Sequence, residues 1–181
     1  MLQELLSKFK RTDQRVAIVG IGNDLNGDDA AGVLVARSLR EHFSQKALSE
    51  NPQAVPAGTG QPAGGYAGET LLIIDAGPSP ESFTGPLRRF QPDLVILVDA
   101  AELSETPGTI RFFDWEAAQG MSGSTHTLPP SMLAEFLIKA TGCQVLLIGI
   151  QPAQLDFDSG LSGEMQQAVD QLILALKDWL E

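Results

Sequence analysis

The chain reads as an α/β protein: a three-layer α/β/α arrangement around a mostly parallel, twisted five-stranded sheet. Three observations predict it. Residues 16–21, 94–98 and 145–150 are continuous apolar runs, the pattern of strands covered on both faces. Segments with helical periodicity lie between them, as crossovers between parallel strands require. With 181 residues and 43% hydrophobic content, the chain can bury one large core but not two, so a single domain over 1–181 is expected.

Taken in order, residues 2–9 place Leu2, Leu5, Leu6 and Phe9 at helical spacing. This predicts an amphipathic helix within an N-terminal segment, 1–10, that packs on the domain or on a partner. Glu4, Lys8 and Lys10 interrupt its apolar run, which is therefore neither a signal peptide nor a membrane span. Residues 16–21 form the first, central strand and end in the loop Gly20-Ile21-Gly22-Asn23-Asp24-Leu25-Asn26-Gly27. Asp28 then caps a helix running to about His42, with Val33, Leu34, Ala36 and Leu39 facing the core.

Residues 45–70 are rich in Gly, Pro, Ala and Gln without a sustained period, and read as a flexible surface insertion. A second buried strand, 71–74, ends at Asp75-Ala76-Gly77, and a third, 94–98, ends at Asp99. Between them, 81–90 forms a short helix broken near Pro86. Residues 109–113 follow Pro107-Gly108 as a fourth, edge strand. The small-residue loop 120–127 holds His126, and Pro129-Pro130-Ser131 opens a helix through Met132, Leu133, Phe136, Leu137 and Ala140. A fifth strand over 144–150 and a final helix over 164–180 complete the chain.

Twenty-three acidic against 12 basic residues give a net charge of −11, which repels phosphate backbones and anionic lipid. Basic residues occur only in short groups such as Arg88-Arg89, so neither a nucleic-acid nor a membrane partner is expected. One cysteine, Cys143, excludes an internal disulfide and a cysteine-based zinc site, and points to the cytoplasm. Its apolar surroundings make Cys143 a packing residue rather than a nucleophile.

In open parallel sheets, ligands gather beyond the carboxyl ends of the strands. Asp29, Asp75, Asp99 and His126 map to that edge. Singly, each has a structural explanation: Asp28 and Asp29 as helix caps, Asp75 and Asp99 as strand-end turn formers, His126 as a loop hydrogen-bonder. Together they would repel or be costly to desolvate unless solvent or a cation compensates. Asp29, Asp99 and His126 thus read as a site for Zn²⁺, Ni²⁺ or Mn²⁺ with open positions, able to polarise a peptide carbonyl or activate water.

Other chemistries lack their geometry. The glycine loop misses the third glycine of a dinucleotide fingerprint, and Asp28-Asp29 would face a pyrophosphate. There is no H-E-x-x-H pair and no G-x-S-x-G elbow, and Ser122 and Ser124 near His126 are explained by loop composition.

The motif order resembles the hydrogenase maturation endopeptidases, over roughly residues 16–180. The motifs are Gly20-Ile21-Gly22-Asn23 with Gly27-Asp28-Asp29, then Val98-Asp99-Ala100, Thr125-His126 and Gly149-Ile150-Gln151-Pro152. Ala76 departs from the family's usual Asp-Gly-Gly, and the N-terminal helix and the 45–70 insertion are larger departures. The resemblance implies an endopeptidase that removes a C-terminal extension from the large-subunit precursor of a nickel-iron hydrogenase, with the hydrogenase 3-type branch favoured. It further implies that Asp29, Asp99 and His126 contact nickel carried by the precursor, so that the resting protein is metal-free. Asp75 would position the substrate tail, and Gly22 and Asn23 would shape the cleft floor. The alternative is a noncatalytic docking or chaperone module for a metalloprotein precursor. Oligomeric state has no signature in the sequence.

Overall fold

Strand β1, Val16–Ile21, is buried at every position and lies in the interior of a six-stranded sheet. The computed structural model describes residues 2–50, 65–114 and 130–181. Parallel to β1 run β3, Leu71–Gly77, and β4, Leu94–Ala100, and β6, Gln144–Ile150, is parallel to β4. Two antiparallel edge strands flank them: β2, Gly65–Ala67, beside β3, and β5, Ile110–Asp114, beside β6. The order is β2-β3-β1-β4-β6-β5.

Among the described residues the sheet has six strands rather than five, which is a correction. The extra one, Gly65–Ala67, lies in the stretch read as an irregular insertion, and three half-buried residues are too short to show a period. The start of that stretch is also ordered, because helix α2 runs Ala31–Glu50 instead of stopping at His42. Residues 51–64 of the insertion lie outside the described residues.

Helices cover both faces of the sheet. On one side, α1 (Leu2–Ser7), α2 and α5 (Gly163–Leu180) pack around Ile18, Leu39, Ile73, Ile96, Ile148 and Leu172. On the other, α3 (Thr84–Phe90) and α4 (Pro130–Thr141) pack around Val19, Ile74, Leu87, Leu97, Leu133 and Leu137. Burying each such side chain contributes about 1.5–3 kcal/mol. The N-terminal helix α1 docks on α5 and sinks Leu6 completely into the first of these cores.

Pro86 does not break a helix. The break comes earlier, where a 3₁₀ turn, Pro80–Phe83, gives way to α3. Pro86 sits in the first turn of α3, where an amide hydrogen has no intrahelical partner to lose.

Candidate functional site

The carboxyl edge of the sheet is built on two close approaches that only glycine permits. At Gly22, where φ is +142°, an added Cβ would overlap the Asp29 carbonyl oxygen. At Gly32 a Cβ would overlap the carbonyl oxygens of both Ile21 and Val98. The first turn of α2 therefore lies against the ends of β1 and β4, and the preceding 3₁₀ turn, Gly27–Ala30, packs on β4.

That turn carries Asp29 and β4 carries Asp99. Both are buried, at 1% and 5% exposure. Asn23 shapes the approach: its backbone N–H donates to Asp29 Oδ2 at 3.1 Å, while its own Oδ1 accepts from the Leu25 N–H at 3.0 Å. Gly22 and Asn23 thus form the surface against which Asp29 is set.

Strand parity separates the other carboxylate. Asp99 follows Val95 and Leu97, which belong to the α3/α4 face. Asp75 follows Ile73, which belongs to the α1/α2/α5 face. The register irregularity opposite Gly20 and Ile21 bypasses Ala76 without moving Asp75 across the sheet.

On its side, Asp75 Oδ2 accepts from Arg37 Nε at 2.6 Å and Oδ1 accepts from the Gly77 N–H at 3.3 Å. Arg37 Nη1 also donates to Asp24 Oδ2 at 2.8 Å. These hydrogen bonds hold the Asp24 carboxyl below the usual carboxylate range, and the two carboxylates raise the Arg37 guanidinium. The expectation that four ionisable groups gather in one cluster is therefore revised. Among the described residues, no three His, Cys, Asp or Glu side chains come together as a metal-binding group. His126 falls in 115–129, outside the described residues, as do Ser122 and Ser124. Helix α4, which begins at Pro130, lies on the same face of the sheet as Asp99.

Asp28 is not a helix cap; it binds across the molecule. Wholly buried, it accepts from the backbone N–H groups of Ala153 (2.7 Å), Gln154 (3.2 Å) and Ser162 (2.7 Å) and from Ser162 Oγ (2.9 Å). The Asp28 N–H returns a bond to the Gln154 carbonyl at 3.0 Å. Ser162 meanwhile caps α5, its oxygen accepting from the Met165 N–H.

Buried Gln151 does the same for the loop after Asp99. Its Oε1 accepts from the N–H groups of Leu103 (2.7 Å) and Glu105 (3.3 Å), and its Nε2 donates to Glu102 at 3.1 Å. The Ser104 N–H, and then Gln151, hold the Glu102 carboxyl below its ordinary value. Residues 151–162 thus brace both the turn bearing Asp29 and the loop following Asp99. Arg37 and this brace were missed in the sequence because their partners lie tens of residues away. Cys143 packs as expected: it is buried, and burial pushes its thiol up.

A family model for hydrogenase maturation proteases matches residues 63–179. A protein of Methanocaldococcus jannaschii described as a hydrogenase maturation protease is 30% identical across all of this chain and 96% of its own length. The chain belongs to the hydrogenase maturation protease family. The hydrogenase 3 maturation protease of Escherichia coli K12 is 28% identical over 88% of this chain and 86% of its own. The crystal structure of a nickel-iron hydrogenase maturation protease from Thermococcus kodakarensis superposes with a TM-score of 0.76 at 31% identity, covering 98% of each chain. Peptidase chemistry follows from membership, and this hydrogenase maturation protease has the family's α/β fold. Among its described residues, no helix is long and apolar enough to cross a membrane.

Proposed function

We propose that this peptidase removes the C-terminal extension of a nickel-iron hydrogenase large-subunit precursor in the cytoplasm, and does so after nickel has been inserted. The observation that carries the reading is the pair of buried carboxylates, Asp29 and Asp99, on a turn and a strand packed against each other at the sheet's carboxyl edge. Oxygen donors held there suit a divalent ion that arrives with the substrate. His126, in the segment leading into α4, supplies the imidazole that completes the set.

In this reading the nickel is part of the substrate. Asp29, Asp99 and His126 grip it, and its grip places the scissile peptide for attack by water. Gly22 and Asn23 form the wall beside Asp29, and Asp75 lies along the path of the tail with its charge balanced by Arg37. Binding energy then depends on the ion, so a precursor lacking nickel is a poor substrate.

The test is mass spectrometry of nickel-loaded precursor incubated with the protein. A discrete C-terminal fragment is expected, and Asp29→Ala, Asp99→Ala and His126→Ala are each expected to lose at least about a hundredfold in processing rate. Intact precursor in a stable complex would instead make the protein a docking module. Full processing by all three variants would remove them from the mechanism.

A further inference from the structure

The brace that fixes the site also displays an apolar patch. Phe157 is 75% exposed and Leu25 is 53% exposed, and Leu155, two residues before Phe157, is exposed as well. Leu25 and Phe157 belong to neighbouring loops, because the Asp158 N–H donates to the Leu25 carbonyl at 2.7 Å. Nothing about this loop is slack: Ser159 Oγ donates to the Asp156 carbonyl at 2.6 Å, Gln154 Nε2 to the Gly160 carbonyl at 3.1 Å, and Asp28 holds its base. A positive φ of 58° at Asp158 adds a backbone conformation that costs energy to hold. A phenylalanine held in water by an ordered loop marks a contact surface.

We propose that Leu25 and Phe157, flanked by Asp156 and Asp158, form the docking rim for the hydrogenase large-subunit precursor. This rests on the function proposed above. The occupant follows from two features of the molecule. First, continuity: Leu25 lies in the loop that leads into the turn carrying Asp29, and Phe157 lies in the brace bonded to Asp28, so both flank the turn that a precursor tail must reach. Second, charge: all four residues 155–158 are exposed, alternating apolar and acidic, which fits an apolar depression edged by Lys or Arg. Seating Phe157 supplies the anchor, and the aspartates set orientation and encounter rate.

The experiment measures binding and cleavage of each nickel-loaded large-subunit precursor of the same organism by the parent and by Leu25→Ser, Phe157→Ser and Asp156→Asn/Asp158→Asn. Leu174→Ser, at an exposed apolar position on α5, is the control. Phe157→Ser is expected to weaken binding about tenfold or more, with Leu25→Ser close behind, as for an aromatic anchor. KM rises accordingly, kcat at saturating precursor is retained, and the control is unchanged. The double aspartate variant slows association and flattens its dependence on salt. Equal affinity for the parent, Leu25→Ser and Phe157→Ser would overturn the docking rim while leaving the peptidase reading intact. If the parent binds the precursor but releases no fragment, the peptidase reading fails and the rim is still judged by affinity. If the parent binds no precursor, both fall. Unchanged melting temperatures show that these surface variants remain folded.

Discussion

Asp28 and Asp29 are adjacent in the chain and do unlike work. Asp29 faces the carboxyl edge, while Asp28 turns away to collect backbone donors from residues 153–162. A carboxylate is suited to this because it accepts only, and each of its partners donates. Asp28→Asn keeps the volume but points an NH₂ group at N–H donors. It is expected to cost about 2–4 kcal/mol in urea unfolding, as expected when a buried charged group loses its hydrogen bonds. Asp24 makes the opposite case, being half-exposed and held by one arginine. Its lowered pKa gives stability that is fully present above the ordinary carboxylate range and lost as pH falls through the lower folded value. The stability difference between the parent and Asp24→Asn is therefore expected to be constant above about pH 5 and to fall away as pH drops through the lowered folded value, at under about 1 kcal/mol for so exposed a pair. Urea melts across that range measure it.

At the scale of elements, the site depends on how tightly α2 crosses the sheet. Gly20 lies against the backbone of Gly32 and the Ala36 methyl, and Gly32 lies against Ile21 and Val98. Gly32→Ala forces α2 away from the ends of β1 and β4 and is expected to cost about 1–3 kcal/mol as an overpacked contact. Thermal unfolding would read the loss, together with reduced processing as Asp29 moves relative to Asp99. Apolar runs were enough to locate β1, β3, β4 and β6, since strands buried on both faces admit little else. They could not reveal β2, whose Gly-Tyr-Ala is defined only by pairing with Leu72–Ile74, nor the length of α2, whose last turns project past the core. Asp28 was misread for a related reason: an acid before a helix usually caps it, and only the fold shows Ser162 waiting 134 residues on.

For the molecule as a whole, the two-residue period of strands divides its acids. Asp99 and α4 share one face, and Asp75 with Arg37 occupies the other. Position at strand ends was legible in the sequence because a buried run visibly stops at each acid. Face was legible in principle, through parity, but the guanidinium that claims Asp75 sits 38 residues earlier, on a helix whose rotation only packing fixes. Cys143 adds a practical corollary. Being the chain's single sulfhydryl, shielded and slow to ionise, it leaves the exterior blank to maleimide dyes. A cysteine placed on the outer loops would carry a fluorophore with little background, turning the arrival of a partner protein into an optical signal.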